Sequence, residues 1–198
     1  MKKMAIASLA LLAGCAGMQP GADQPRHKND AVLAPGYPVS EIPSPKGFVY
    51  QSGFSEKAHE DYTKASEQGG TTRTSHGFGW SDGSGDARVM TALFERLTSR
   101  SRFLPPEHSD GYEFVSDHRV TYLFRKGRMT QVAADSSLVP DGAAKCATTT
   151  DLQVLSQRAD KRFVGTYTEG ISCDELGAFT ESDFRAQLNR AYHAFGLR

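Results

Sequence analysis

The fold is decided by the stretch LQVLSQRADKRFVGTYT, which occupies residues 152–168. Apolar and polar residues alternate through both halves of this stretch, a period that is typical of strands with one buried face. The halves, residues 152–157 and 162–168, flank a polar centre in which Ala159-Asp160 is the predicted turn. We therefore predict an antiparallel hairpin in which the numbers of opposed residues sum to 319.

A second hairpin is predicted earlier in the chain, from residues 119–125 and 128–134. These two segments flank Lys126-Gly127, a pair that suits a two-residue turn because glycine readily adopts a positive φ. The pairing would place Tyr122 and Phe124 on one apolar face of the sheet.

Two helices are predicted around the hairpins, over about residues 86–100 and 182–195, because apolar side chains recur there at helical spacing. The first stripe is Val89, Met90, Leu93, Phe94 and Leu97, and the second is Phe184, Leu188, Ala191, Tyr192 and Phe195. Thr180 or Ser182 would cap the second helix. The sequence thus predicts one α+β domain over residues 47–198, an antiparallel sheet of two or more hairpins with both helices packed on one face.

The start of the chain has the pattern of a secretory signal over residues 1–14. Lys2 and Lys3 precede an uncharged, mostly apolar run at residues 4–13. About ten helical residues rise roughly 15 Å, half the hydrocarbon core of a bilayer, so this run is too short to span a membrane. A positive start, a short apolar run and small residues at its end predict a cleavable signal peptide.

The end of this signal, Leu12-Ala13-Gly14-Cys15, resembles the lipobox of bacterial lipoproteins. The resemblance implies that Cys15 receives a diacylglyceryl group, that the chain is cut before it and that the new amino end is acylated. Such acyl chains would anchor the protein stably in a membrane. Ala16 follows the cysteine, and the lack of aspartate there implies the outer membrane, with the domain in the periplasm.

The charge of the chain argues against one class of partner. The chain has 23 basic and 23 acidic residues. Cleavage of the signal would remove Lys2 and Lys3, which leaves 21 basic residues against 23 acidic ones. Binding to nucleic acid would need a large basic excess, so we expect no nucleic-acid partner.

Residues 15–46 are predicted to be the lipidated cysteine and a mobile tether. Prolines and glycines punctuate the stretch, and its sparse apolar residues follow neither a helical nor a strand period. The alternative is a structured arm that packs along the domain through Val39 and Ile42.

Cys146 and Cys173 remain once Cys15 is assigned to the lipid. Continuing the ladder of the hairpin at residues 152–168 outward places these two cysteines opposite each other, since their numbers also sum to 319. Thiols in an oxidising compartment usually pair, so we predict a disulfide. The alternative is a redox-active pair of free thiols, which lacks the CxxC spacing typical of that chemistry.

One catalytic motif is present. Gly79-Trp80-Ser81-Asp82-Gly83 matches the G-x-S-x-G nucleophile elbow of α/β-hydrolases, in which a strand precedes the serine and a helix follows it directly. The polar residues 71–78 do not resemble a buried parallel strand, and His118 or His193 would have to supply the base. A periplasmic serine hydrolase that uses Ser81 is therefore the alternative function.

The remaining patterns favour no cofactor. Residues 82–86 alternate oxygen-bearing side chains but lack the glycine and the final acidic residue of an EF-hand. No two histidines lie four residues apart, so zinc is not indicated. Phe78 and Trp80 either fill the core or form an exposed aromatic patch.

The sequence as a whole favours a non-catalytic binding or accessory module, anchored to a membrane through the acyl chains on Cys15. Its expected partner is an envelope protein, peptidoglycan or a lipid. This expectation follows from the anchor, the predicted disulfide and the weakness of the catalytic motif.

Overall fold

A computed structural model describes residues 24–64, 67–82, 87–98, 101–133, 136–139 and 144–198 of the protein. The predicted signal peptide at residues 1–14, the predicted lipidation site Cys15 and the loop at residues 83–86 lie outside the described residues. The strands, in chain order, are β1 (Arg26–Lys28), β2 (Ala31–Leu33), β3 (Glu41–Pro43), β4 (Val49–Lys64), β5 (Glu67–Ser81), β6 (Arg88–Thr98), β7 (Gly111–Val115), β8 (His118–Arg128), β9 (Cys146–Leu155) and β10 (Lys161–Ile171).

Seven of these strands form one antiparallel sheet, in the order β4-β5-β6-β10-β9-β8-β7. One side of this sheet, which we call the helix face, is covered by helix α2 (Glu181–Ala194) and by a small sheet of β1, β2 and β3. The opposite side, which we call the far face, is covered only in part. Strands dominate the described residues, so the fold is predominantly β.

The predicted helix over residues 86–100 is wrong, because this segment forms strand β6 between β5 and β10. Neighbouring residues Val89 and Met90 point to opposite faces of the sheet, and both are buried. A strand that is buried on both faces shows no alternation of apolar and polar residues, and its sequence can therefore mimic a helical stripe.

The predicted hairpin over residues 119–134 is also wrong. Strand β8 continues through Lys126-Gly127, which pairs with Thr148 and Ala147 of β9, and a short helix α1 (Met129–Val132) follows. The actual turn lies before β8, where Ser116 has a φ of 53° and joins β7 to β8. Gly127 is not among the glycines with a positive φ, so it does not make the turn that its identity suggested.

The hairpin at residues 152–168 is confirmed, as strands β9 and β10. Its register differs from the prediction: Leu152 lies opposite Gly165 rather than Tyr167, so the numbers of opposed residues sum to 317. Ala159, with a φ of 53°, makes the tight turn. A shift of two residues leaves every side chain on its expected face, because the period of a strand is two.

The mobile tether is wrong for the described part of residues 15–46, and the alternative of a packed arm is correct. Val32 and Ile42 are fully buried in the same apolar core as the main sheet. Asn29 and Asp30 have φ angles of 52° and 57°, which is the two-residue turn of a tight hairpin. Strands of three residues are too short to show a period, so the sequence pattern concealed them.

The helix predicted over residues 182–195 is confirmed as α2. Thr180 caps it: the Asp183 backbone N–H donates to the Thr180 hydroxyl, and the Asp183 carboxylate accepts from the Thr180 backbone N–H. Its apolar side packs on the helix face, where the ring of Phe195 lies 5.4 Å from that of Phe163, measured between centroids. A single helix of this length on one sheet face replaces the predicted pair of helices.

Candidate functional site

The predicted disulfide between Cys146 and Cys173 is present, with the two Cα atoms 5.1 Å apart. Cys146 begins β9 opposite Ile171, and Cys173 lies just beyond the end of β10. The bond therefore closes the open end of the β9-β10 hairpin, although the two cysteines are not opposed in the ladder as the sequence register suggested.

Ser81 does not stand on a nucleophile elbow. It is the last residue of β5, it is buried, and it lies between Val49 of β4 and Val89 of β6. The next regular element is strand β6, not the helix that the G-x-S-x-G mechanism needs. Asp82, which follows Ser81, accepts a hydrogen bond from the backbone N–H of Arg88 at 2.8 Å and pairs with the guanidinium of the same residue.

The two candidate bases are far from Ser81. His118 begins β8, which is four strand positions from β5, so about 19 Å separate the two strands across the sheet. His193 is exposed on α2, which lies on the helix face, and its ring contacts the Arg198 carbonyl at 3.3 Å. The structure thus places neither candidate base beside Ser81.

A groove opens on the far face near the edge of the sheet and has a cavity volume of about 220 Å³. Strands β4, β5 and β6 form its floor and sides, and the segment after α1 contributes one leucine. Its lining residues are Ser52, Gly53, Phe54, Gly77, Phe78, Gly79, Thr91, Ala92, Leu93 and Leu138. None of these side chains is ionisable, so the described lining offers no side-chain acid or base for proton transfer.

Two glycines of β5 shape this groove. A Cβ atom on Gly77 would lie 2.1 Å from the ring of Phe54, and a Cβ atom on Gly79 would lie 2.5 Å from Leu138. The bare backbone at these positions lets Phe54 and Leu138 lie directly on the sheet. The intervening residue Phe78 and its neighbour Trp80 point to the helix face, where both are buried, so they fill the core rather than form a patch.

Strand β4, beside the groove, is an edge of the seven-stranded sheet, and among the described strands it pairs with β5 alone. Val49 and Phe54 are large apolar residues of this strand, and their side chains are 63% and 58% exposed. Residues 49–55 carry no charged side chain, whereas Glu56 and Lys57 follow immediately. Natural sheets protect their edges with charges or with bulges, and residues 49–55 have no such charge but do have an irregularity of register between Tyr50 and Ser52.

Away from the groove, the far face carries internally paired charges. The carboxylate of Glu95 accepts a hydrogen bond from Arg162 at 2.7 Å and lies 3.6 Å from Nε of Arg73. Asp151 binds Arg125 through two hydrogen bonds of 2.6 and 3.0 Å. Each of these carboxylates pairs with arginine, so these charges stabilise the contacts between neighbouring strands of the sheet.

Two buried groups of the helix face have shifted pKa values. Burial lowers the pKa of His76, which lies on the helix face. Burial also raises the pKa of Tyr167 above its usual range, and the Tyr167 hydroxyl donates to Glu169 at 2.9 Å. Glu169 in turn binds Arg190 through two hydrogen bonds of 2.7 and 2.6 Å. Tyr167, Glu169 and Arg190 thus connect α2 to the sheet, and neither they nor His76 line the groove.

A second, polar cavity of about 550 Å³ lies at the end of the sheet where β6 begins and β10 ends. Its carboxylates already have partners: Asp82 pairs with Arg88, Glu169 with Arg190, and Glu175 accepts from the Ser172 N–H.

Within the described ranges, no group of three histidine, cysteine, aspartate or glutamate residues is arranged to hold a metal ion. In the same part of the chain, no helix is long and apolar enough to cross a membrane.

Comparison of the chain with protein-family models, with curated proteins and with solved structures finds no match. The fold and the groove therefore define the class by themselves: a predominantly antiparallel β protein, disulfide-bonded, with an apolar groove beside a free sheet edge. Sequence reasoning missed this groove. The signal that could have revealed it is the alternation His76-Gly77-Phe78-Gly79-Trp80, in which one strand face is aromatic and the other is bare.

Proposed function

We propose that the protein is a lipid-anchored, non-catalytic binding module of a bacterial cell envelope, with its domain in the periplasm. The observation that carries this proposal is the far-face groove, because it is open and apolar and the lining residues that the structure describes include no ionisable side chain. Binding sites are commonly concave and mostly apolar, whereas acid–base or nucleophilic catalysis needs a titratable group within reach of the ligand.

The chemistry of the groove favours two of the three expected partner classes over the third. Peptidoglycan is rich in hydroxyl and amide groups, which would lose hydrogen bonds to water without finding replacements among Phe54, Leu93 and Leu138. A protein or a lipid suits such a lining better. The disulfide supports an exported protein, since such bonds persist in oxidising compartments.

The distance to the membrane follows from the packed N-terminal sheet. Only eight residues lie between Cys15 and Gln24, where the described structure begins, and these nine Cα–Cα steps span at most about 32 Å. His27 of β1 stacks on Tyr50 of β4, with ring centroids 3.9 Å apart, so the chain enters the domain beside the β4 edge. A lipid on Cys15 would therefore hold that edge close to the membrane surface.

The anchor is tested in a Gram-negative host that produces the tagged full-length chain. Globomycin, which blocks the lipoprotein signal peptidase, is added to one culture, and Cys15→Ala is expressed in another. We expect the precursor to accumulate with the drug, and the wild-type protein, but not the variant, to float with membranes. Processing that ignores both the drug and the substitution would contradict the proposal.

A further inference from the structure

Building on the proposed function, we propose that the occupant of the groove is an extended, uncharged segment of another envelope protein. This segment adds as a new strand along residues 49–55 of β4 and places an apolar side chain in the groove. The inference names the partner class and the mode of binding, neither of which follows from an anchored binding module alone.

The backbone of β4 selects a polypeptide over a lipid. Strand β5 satisfies one side of β4, and within the described ranges no other strand pairs with it. On the outward side of residues 49–55, the Gln51 amide donates to the Val49 carbonyl at 3.4 Å, and no described strand pairs with the other outward N–H and C=O groups. An extended peptide can satisfy this row of groups, whereas an acyl chain offers no donor or acceptor.

The charge pattern sets the length and character of the segment. Residues 49–55 are uncharged, and they end at Glu56 and Lys57. An apolar segment of about seven residues matches the uncharged half, and the charges beyond it oppose continued pairing of apolar residues. A charged segment would lose hydration beside Val49 and Phe54 without gaining an ion pair there.

The groove supplies the side-chain site that the edge by itself lacks. Ser52, Gly53 and Phe54 belong both to the edge and to the lining of the groove. A strand that pairs with β4 directs alternate side chains to the far face, next to these residues. Main-chain hydrogen bonds then give affinity, and the apolar lining selects the side chain, as in other strand-addition complexes.

The test uses a photo-reactive benzoylphenylalanine in the full-length, membrane-anchored protein in living cells. It replaces Phe54 in one strain and Phe114 in the control strain, because Phe114 is also an exposed phenylalanine, at the opposite edge of the sheet. We expect irradiation to give an adduct at position 54 whose digest contains an uncharged segment of a different protein, at least tenfold more abundant than any adduct at position 114.

Two further substitutions, each combined with the probe at position 54, test whether the partner occupies the groove and whether it pairs with the β4 edge. Thr91→Tyr fills the groove, and Thr121→Tyr is its control at an intermediate position on the far face of β8. Ser52→Lys places a charge on the exposed edge without disturbing the core, and Ser182→Lys is its exposed control on α2. Thr91→Tyr and Ser52→Lys should each lower the adduct at least tenfold, while the controls leave it unchanged.

Several outcomes would overturn the inference: a lipid adduct, an adduct with a second copy of the chain, equal labelling at positions 54 and 114, or an adduct that Ser52→Lys leaves intact. The globomycin experiment on the same cells reports anchoring separately. A protein that is anchored but gives no adduct contradicts the strand-addition mode and leaves the anchor standing, whereas a failure of processing contradicts the proposed function itself.

Discussion

Arg162 of β10 donates a hydrogen bond through Nε to the carboxylate of Glu95 on β6, over a distance of 2.7 Å. The Glu95 side chain is 4% exposed, and the guanidinium of Arg162 also stacks on the ring of Phe103 at 4.4 Å from its centroid. The pair joins two central strands and holds the segment before β7 against the far face.

Removal of the Glu95 carboxylate is expected to destabilise the protein. Glu95→Ala leaves Arg162 without its anion and deprives Ser75 of its acceptor at 3.4 Å. Breaking a buried ion pair costs several kcal/mol, and since Arg162 is partly exposed we expect a loss of roughly 2 kcal/mol. Urea unfolding followed by circular dichroism measures this loss. Glu41→Ala, at an exposed position on β3, is the matched control, and an equal effect of both substitutions would contradict the structural role of Glu95.

The disulfide is expected to contribute strongly to stability. It joins cysteines 27 residues apart in the sequence, and a loop of that length corresponds to roughly 3 to 4 kcal/mol in the chain-entropy model. The double variant Cys146→Ser, Cys173→Ser should lose about this much in urea unfolding. Mass spectrometry of the exported wild-type protein should find the two cysteines bridged, and the detection of two free thiols would disprove the pairing.

Much of the fold was predictable where one element has one buried face. The β9-β10 hairpin and α2 have clear periods of two and 3.6, and both were located correctly. Strand β6 was not, because Val89 and Met90 are buried on opposite faces, and the burial of both faces depends on neighbours that the local sequence does not reveal.

Turns, too, depend on neighbouring strands that the local sequence does not reveal. Lys126-Gly127 has the composition of a turn but continues β8, because pairing with β9 outweighs the local preference of glycine. The turn at Ala159 was predicted from the polar segment around it, but its positive φ was not, because alanine rarely adopts that conformation. The disulfide was predictable from cysteine count and strand parity, which survive a register error of two. The groove was not, since it needs Leu138 to come from a segment far along the chain.

The cap of α2 predicts a dependence of stability on pH. Hydrogen bonds from the side chain and then the backbone N–H of Thr180 lower the pKa of the Asp183 carboxyl below that of an ordinary aspartate. A carboxyl whose pKa is lower in the folded state stabilises the fold above the unfolded-state pKa. Its contribution is lost as the pH falls through the folded-state pKa.

The variants Thr180→Ala and Asp183→Asn test this relationship. Both should flatten the fall in melting temperature below about pH 4, because Asp183→Asn removes and Thr180→Ala weakens the interaction that separates the two pKa values. Ser182→Ala, between the two on the same helical turn, serves as control. A fall of unchanged steepness in both variants would show that the cap does not contribute.

Ser81 is expected to be unreactive. It is 6% exposed and flanked by two strands, and neither candidate base, His118 or His193, lies beside it. A fluorophosphonate probe should therefore fail to label the mature domain under conditions that label a serine esterase. Labelling that disappears in Ser81→Ala would reverse this conclusion and restore the hydrolase alternative.

The N-terminal sheet is expected to belong to the folding unit. Ile42 has no exposed surface and packs in the same cluster as Phe94 and Tyr192, so Ile42→Ala should cost about 2 to 5 kcal/mol. Leu104→Ala also shortens a branched aliphatic side chain, but Leu104 is 79% exposed, and we expect a change within about 0.5 kcal/mol. A mobile tether would make the two substitutions equivalent in urea unfolding. A large difference between them would show that the small sheet of β1, β2 and β3 folds as part of the same core as the main sheet.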